Sequence, residues 1–451
     1  MAGIPLGGEE ELIFRRRLPV GTIGLVVVNV LIYLYTSYQS FFLQTSDYYV
    51  YNYGFIPALL LQHPLEGFAR IFTSMFLHAN LLHIFFNMYF LYVFGRAVEN
   101  TLGTGRYLAL YFLSGIAASI FHTTFTYLGG VYEMGIPAIG ASGAISGVLG
   151  AYLVLFPGTS LTVCWWFFFL PFCFTLRASA YLIFWFALQV INGYLAASTP
   201  GGAGVAFFAH VGGFLTGIAL LPLVIDRVRH RYLKMRAELI TRFMDYIRYV
   251  YEGIERRGLG TFAKAVLTAL IVAIVAGSAY ALTVSGSLCS CYHLEATIKS
   301  SLQTISMYIP IPSPGMGMWR TPISEVNVLL NRLTALGVFW DSKWAQYVGK
   351  TVTTYVEVDH IPLRVPVRIR ILDATYVHSM LTYMKAELYT QAIILRWGSY
   401  VLGEWIGYYF TLELVKMYSS LLQGLALISL ITSLWALYVV HRESPKLTLI
   451  G

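Results

Sequence analysis

The chain has 451 residues, of which 57% are hydrophobic and only 12% are charged. A typical soluble domain carries about 25% charged residues, so a soluble protein of this length would lack the polar side chains to cover its surface. Several apolar runs are long enough to cross a bilayer. We therefore predict a polytopic membrane protein. The net charge of +8 is explained by basic residues on the cytoplasmic side, and we expect no nucleic-acid partner.

Hydrophobic runs predict eight spans, with a bundle of six followed by two more. They lie at residues 19–36, 75–95, 106–127, 142–156, 180–197 and 205–225, and then at 261–284 and 419–441. Basic residues cluster at 15–17 and 227–231, whereas residues 107–176 contain none. We therefore expect a multi-pass protein of the cell membrane with a cytoplasmic N-terminus, since no organelle-targeting segment is visible.

The remaining segments complete an all-α membrane protein with one added α+β domain. We expect a cytoplasmic segment at 1–18, a six-helix core at 19–226, a basic amphipathic linker at 227–260, an extracytoplasmic α+β domain at 285–418 and a cytoplasmic tail at 442–451. The linker suits an anionic lipid surface, and an ordinary solvated helix is an equally good interpretation. The core is expected to keep its chemistry without residues 259–451.

Alternation of residue types predicts strands in the α+β domain. Val365, Val367, Ile369 and Ile371 alternate with proline and arginine, which indicates a strand with one wet face. Residues 351–358 are predicted to be its hairpin partner. Residues 376–418 are predicted to be helical.

The four cysteines show no zinc-type spacing and no CxxC pair. Cys164 and Cys173 flank an aromatic run, which suggests burial near a membrane interface. Cys289 and Cys291 are two residues apart and are expected to be a free pair, with a metal or redox role as the alternative.

A serine and a histidine lie in glycine-rich apolar segments, and polar residues at that depth are read as functional by default. Ser142 lies in Gly140-Ala141-Ser142-Gly143 and begins an apolar helix, whose free backbone N–H groups suit an oxyanion. His210 begins another helix at a similar depth, and a histidine near a serine is the usual general base. We predict a protease that works inside a membrane.

Each residue alone also has an ordinary structural explanation. Ser142 fits a helix N-cap, and His210 fits a hydrogen-bonded histidine in the core. The combination at matched depth favours catalysis. Gly143 and Gly147 form one small-residue pair, and Gly213 and Gly217 form another, so the fourth and sixth helices are expected to pack closely.

A third polar group lies upstream. His83 and Asn87 are four residues apart and share a helix face, so both can donate to one oxyanion. His78 fits loop packing or water retention equally well. Carboxylates are scarce near these histidines and HExxH is absent, so we predict no metal site.

Missing residue types narrow the mechanism. The chain has no lysine before Lys234, which excludes a Ser–Lys pair in the core. Asp47 and Asp226 are the only aspartates before residue 240, and both lie outside the predicted spans. Paired-aspartate catalysis is therefore excluded, and a Ser-His dyad remains.

The order and spacing of these elements resemble the rhomboid family of intramembrane serine proteases. The matching elements, within residues 18–225, are His78-x4-His83-x3-Asn87, Gly95-Arg96-Ala97-Val98-Glu99, Leu102-Gly103-Thr104-Gly105-Arg106, Gly140-Ala141-Ser142-Gly143 and Ala209-His210-Val211-Gly212-Gly213. The resemblance implies that Ser142 is the nucleophile, that His210 is the base, and that the Ser142 N–H, His83 and Asn87 bind the oxyanion. It also implies transmembrane-protein substrates, action within the lipid bilayer and no cofactor.

Two positions depart from the family pattern. The aromatic residue often found one turn after the nucleophile is Ser146 here, so a tyrosine from elsewhere is one candidate to hold His210. The first-loop Trp-Arg pair is Ala69-Arg70, which alters the anchoring of that loop. His78, Gly140, Gly143, Arg70 and Glu99 are the candidate supporting residues.

Two other function classes compete with the protease. A rhomboid-like pseudoprotease would bind membrane clients without cutting them, but such proteins generally lack the serine or the histidine. A transporter or channel would need more ionisable residues along its spans than this chain has.

Overall fold

The structure is a computed structural model that describes most of the chain. The described residues are 4–5, 18–131, 133–167, 170–198, 206–249, 259–285, 290–299, 302–312, 319, 321, 323–358, 361–396 and 399–449. Cys289, the basic residues 15–17 and the end of the linker at 250–258 lie outside these ranges.

Helices account for the membrane core. In chain order they are α1 (Val20–Ser37), α2 (Asp47–Tyr53), α3 (Pro57–Gln62), α4 (Pro64–Ser74), α5 (Leu81–Leu102), α6 (Thr104–Gly129), α7 (Ser142–Leu155), α8 (Ala178–Ala197) and α9 (Phe207–Val224). The amphipathic helix α10 (Arg227–Tyr249) follows, and then α11 (Thr261–Val284), α12 (Ser324–Ala335), α13 (Ser419–Tyr438) and the short α14 (Ser444–Leu447).

Among the described residues, seven helices are long and apolar enough to cross a membrane, namely α1, α5, α6, α8, α9, α11 and α13. The chain is therefore a polytopic helical membrane protein. The fourth predicted span, at 142–156, corresponds to α7, which has only 14 residues and rises about 21 Å, less than the hydrocarbon thickness of about 30 Å. Every residue of α7 after Ser142 is buried, so this helix lies inside the bundle.

The second span begins six residues later than predicted. The Oδ1 atom of Asn80 accepts a hydrogen bond from the His83 N–H at 2.9 Å and caps the start of α5. Gly103, with φ of 84°, ends the same helix. Residues 75–80 are therefore apolar loop rather than helix, and hydropathy alone does not distinguish the two.

Helices α7 and α9 approach at a seam of small residues. A Cβ atom at Gly213 would collide with the carbonyl of Gly143, and one at Gly217 would collide with the carbonyl of Gly147. This agrees with the close packing predicted from the small-residue pairs, and it lets the backbones of the two helices touch.

A six-stranded antiparallel sheet forms most of the module between α11 and α13. Its strands are β4 (Ser290–Ile298), β5 (Gln303–Ile309), β6 (Thr351–Val358), β7 (Ile361–Val377), β8 (Met380–Arg396) and β9 (Ser399–Lys416), in the order β5-β4-β9-β8-β7-β6. Helix α12 buries Val326, Leu329, Leu330 and Leu333 in the same core as the sheet. The predicted pairing of 351–358 with 365–371 is confirmed.

The helical prediction for residues 376–418 is wrong. Nearly all of this segment forms β8 and β9, whose alternate residues are buried. Met384, Ala386 and Leu388 lie opposite Leu412, Phe410 and Tyr408. The period of two in the burial is the strand signal, and the other face carries charged residues and tyrosines such as Tyr383, Lys385 and Glu387.

A small hairpin connects α7 to α8 at the end of the bundle opposite Ser142. Strands β2 (Ser160–Phe167) and β3 (Leu170–Arg177) pair with each other, and β1 (Ile4–Pro5) adds to β2. Cys164 and Cys173 face each other in this hairpin and form a disulfide. Cys291 is a buried free thiol, and its burial raises its pKa to about 12, which argues against the redox alternative for this residue.

Candidate active site

Ser142 and His210 are in direct contact. Ser142 is the first residue of α7, and His210 lies in the first turn of α9. The Ser142 Oγ and His210 Nε2 atoms are 2.8 Å apart. The glycine seam accounts for this proximity, because it brings the two helix starts together.

A second hydrogen bond fixes the orientation of the imidazole. The Nδ1–H of His210 donates to Oε1 of Gln189 on α8 at 2.8 Å. Since an amide oxygen only accepts, the proton resides on Nδ1, and Nε2 has a free lone pair for the serine hydroxyl. The ring of Trp185, one turn earlier on α8, lies 6.1 Å from the His210 ring, measured between centroids.

The sequence analysis missed both Gln189 and Trp185. These two residues hold His210 in place, a role for which a tyrosine is one candidate from the sequence alone. Ser146, at the departing position, instead donates to the Ser142 carbonyl at 2.7 Å. Gln189 could have been identified by its amide group within an apolar span, because polar side chains in membrane spans usually have a function.

The backbone at Gly140 leaves a gap between His83 and Ser142. Gly140 has φ of 124°, a conformation that favours glycine. A Cβ atom there would lie 2.9 Å from His83 Nε2 and 3.7 Å from Ser142 Oγ. The His83 Nδ1 atom accepts a hydrogen bond from the Ala79 N–H at 3.3 Å, so the proton of the neutral ring resides on Nε2 and points to this gap.

His78 supports the loop that precedes Ser142. It is buried, and its Nε2 atom accepts from the Ala141 N–H at 3.5 Å. Its ring packs edge-on against His83, with centroids 5.1 Å apart. This geometry suits the loop-packing alternative better than direct participation in chemistry.

Asn87 lies one turn below His83 on α5. Its Nδ2 donates to the His83 carbonyl at 2.9 Å, which leaves the second amide hydrogen available. Asn87, His83, Ser142 and His210 all line one cavity of about 940 Å³. His122 and Glu133 line the same cavity and were not predicted.

The other predicted supporting residues act at a distance. Arg70 donates to the Tyr51 carbonyl at 2.7 Å and to Glu66 at 2.8 Å, and so ties α4 to α2 in the first loop. Gly143 packs against Ala118 of α6. Glu99 accepts from the N–H groups of Gly21 and Thr22, both at 2.8 Å, and caps α1 at the opposite end of the bundle.

Within the described ranges, no group of three His, Cys, Asp or Glu side chains could hold a metal ion. The side chains of this cavity themselves offer a serine hydroxyl hydrogen-bonded to a histidine, beside polar N–H donors.

Comparison with known proteins gives the family. The rhomboid domain model matches residues 66–227. Rhomboid protease AarA of Providencia stuartii is 30% identical over 227 residues, which cover 47% of this chain and 74% of that protein. The chain belongs to the rhomboid family. The match contains α5 to α9 and the loops between them, and so covers Ser142, His210, His83, Asn87 and Gln189.

Other rhomboid relatives match shorter parts of the chain. The mitochondrial Rhomboid protein 1 of Saccharomyces cerevisiae is 30% identical over 36% of this chain and 45% of its own length. Inactive RHOMBOID-like protein 8 of Arabidopsis thaliana is 38% identical over 19% of this chain and 22% of its own length. The chain thus spans less than half the length of the yeast relative. The rhomboid domain match ends at the first residue of α10, so it does not reach the module between α11 and α13.

Proposed function

We propose that this chain is an active intramembrane serine protease that cuts membrane proteins in or near their transmembrane segments. The contact between Ser142 Oγ and His210 Nε2 at 2.8 Å is the observation that carries the proposal. It is supported by Gln189, because the hydrogen bond at Nδ1 selects the tautomer in which Nε2 accepts a proton.

In the proposed mechanism, His210 takes the proton of Ser142 as the hydroxyl attacks the substrate carbonyl. The oxyanion is then bound by the Ser142 N–H at the start of α7, by the Nε2–H of His83 and by the free amide hydrogen of Asn87. His210 next gives its proton to the leaving amine, and a water activated by the same histidine hydrolyses the acyl-enzyme. No cofactor is required.

The proposed substrates are transmembrane proteins that reach the cavity through the bilayer. Ser142 lies at the end of the bundle that carries the first loop and the β4–β9 module. We assign this end to the non-cytoplasmic side of the cell membrane, because Arg106, Arg177 and the basic helix α10 all lie at the other end. The N-terminus and residues 442–451 are then cytoplasmic.

The alternative is a rhomboid-like pseudoprotease that holds membrane clients without cutting them. The match to a plant protein named as inactive favours this candidate. Against it, this chain has both the serine and the histidine, in contact.

The test is cleavage of a single-span model substrate by the purified full-length protein in lipid. We expect the wild type to cut and Ser142→Ala to be inactive, because the nucleophile is lost. Ser198→Ala is the matched control, since it removes an exposed serine hydroxyl at the end of α8, outside the cavity. Cleavage by Ser142→Ala would overturn the mechanism, and no cleavage by folded wild type on a panel of substrates would favour the pseudoprotease.

A further inference from the structure

We propose that the segment Ser444–Leu449, which follows α13, positions the nucleophile helix α7 from its far end. We call this segment the strap. The inference rests on the proposed function in one respect, that Ser142 is the nucleophile. It adds a positioning role for residues about 300 positions later in the sequence, outside the part of the chain that matches the rhomboid domain.

The end of α7 needs hydrogen-bond donors. The last carbonyls of a helix have no partner within it, and in a membrane core each unpaired group costs several kcal/mol. Val154, Leu155 and Phe156 are fully buried. Because these three residues are fully buried inside the bundle, water does not readily replace those missing donors.

The strap supplies the donors. The N–H of Leu449 donates to the carbonyl of Leu155 at 2.7 Å. The Thr448 hydroxyl lies 3.0 Å from the carbonyl of Val154 and 2.8 Å from that of Ser444. The Leu155 carbonyl is thus satisfied by the backbone of the strap, and the Val154 carbonyl shares the single hydroxyl hydrogen of Thr448 with the Ser444 carbonyl.

The strap is itself held firmly. His230 of α10 contacts the carbonyl of Leu447 through its Nε2 at 2.9 Å, and Leu447 and Leu449 are both buried. Just before the strap, Trp435 of α13 donates through Nε1 to the Ala219 carbonyl of α9 at 2.9 Å. The end of α7 is therefore attached to both α9 and α10.

The position of α7 along its own axis needs contacts at its ends, because its seam with α9 consists of glycines. Gly143, Gly147, Gly213 and Gly217 have no side chains to interlock, so the seam by itself resists sliding along the helix axis weakly. At the Ser142 end, α7 is held by the loop bonded to His78. At the other end it is held by the strap. A shift of the helix would move Ser142 directly away from His210, since α7 is one continuous helix.

This arrangement makes α13 and the strap part of the catalytic core rather than a detachable addition. The sequence alone predicts that the Ser-His dyad stays intact without residues 259–451. The hydrogen bonds to Val154 and Leu155 lead us to expect instead that their removal slows catalysis.

The test compares paired substitutions in the full-length protein. Thr448→Val removes the hydroxyl at nearly constant volume, and Thr448→Ser restores it. Leu449→Pro removes the N–H, while Leu449→Ala loses the same packing but keeps the N–H. The backbone of Thr448 (φ −63°, ψ 129°) already suits a residue before proline. Exposed Lys446→Ala is the control.

We expect Thr448→Val and Leu449→Pro to lower kcat roughly 10-fold or more with KM unchanged, because misplacement of a reacting group lowers the rate rather than substrate binding. Thr448→Ser and Lys446→Ala should have the kcat of the wild type, and the kcat of Leu449→Ala should be higher than that of Leu449→Pro. Equal rates within each pair would overturn the proposal, as would a loss that appears only in KM.

A second readout separates this proposal from the proposed function. Hydrogen exchange of the α7 amides should be faster in Thr448→Val than in Thr448→Ser, whether or not the protein cuts a substrate. If wild type is no more active than Ser142→Ala, the proposed function fails, and the exchange comparison still decides whether the strap holds α7. Equal exchange rates of the α7 amides in both variants would contradict the positioning role of the strap.

Discussion

Gln189 and His210 are joined by a hydrogen bond of 2.8 Å between Oε1 and Nδ1. An amide therefore stands where many serine hydrolases place a carboxylate. It orients the imidazole without adding a negative charge inside the membrane, where a buried carboxylate would be costly.

Replacement of Gln189 by leucine should slow cleavage about 10- to 100-fold, because the imidazole loses its orienting acceptor and its tautomer preference. The measurement is kcat on the single-span substrate. The matched control is Gln391→Leu, which removes another glutamine from the distant sheet. A Gln189→Leu enzyme with wild-type kcat would show that Trp185 and packing alone hold the ring.

Cleavage should depend on pH through His210. Only the neutral imidazole can accept the serine proton, so the rate should fall as pH is lowered and the ring becomes protonated. Gln189→Glu should move this acid limb to higher pH, since a carboxylate beside Nδ1 stabilises the charged ring. The check is the pH profile of kcat for both proteins in the same lipid. Acid limbs that coincide in the wild type and in Gln189→Glu would contradict a histidine base oriented through Nδ1.

Replacement of Asn87 by alanine should lower kcat roughly 10-fold or more, as the loss of one oxyanion donor does in other enzymes. KM should change little, because the donor acts mainly in the transition state. Asn52→Ala, at an exposed position in the first loop, serves as the control. An unchanged rate would remove Asn87 from the oxyanion site.

Alanine at Gly217 should destabilise the protein by about 1–3 kcal/mol or more, because its Cβ would collide with the backbone of Gly147. Gly24→Ala in α1 is a matched control, since a Cβ there meets nothing within 4 Å. Thermal unfolding in detergent measures both variants. Similar unfolding temperatures would mean that α7 and α9 do not touch at this seam.

The sequence alone predicts four residues of the cavity, because polar residues are rare in apolar helices and are therefore easily recognised. Ser142, His210, His83 and Asn87 stood out for that reason, and the structure brings all four to one cavity. Gln189 did not stand out, because a single glutamine in a span carries no spacing pattern. Its partner is 21 residues away, and only the packing of α8 on α9 brings them together.

Local sequence patterns did not predict two parts of the structure, namely the long strands of the added module and the ends of the helices. Strands β8 and β9 have 17 and 18 residues, longer than most strands, and a segment of that length is equally typical of a helix. The start of α5 depends on one cap residue, Asn80, rather than on hydropathy. The strap contacts of Thr448 and Leu449 join residues almost 300 positions apart, which no local pattern indicates.

The sheet order also has a consequence for the origin of the module. Strand β4 begins at Ser290, strand β9 ends at Lys416 shortly before α13, and the two are the second and third of the six strands, with Ser290 opposite Lys416. Paired strands lie about 5 Å apart, so the first residue of β4 and the last residue of β9 are almost coincident. Topologically, the module is an insertion into the turn of a helical hairpin. A short peptide linker in its place would bridge α11 and α13 without moving either helix.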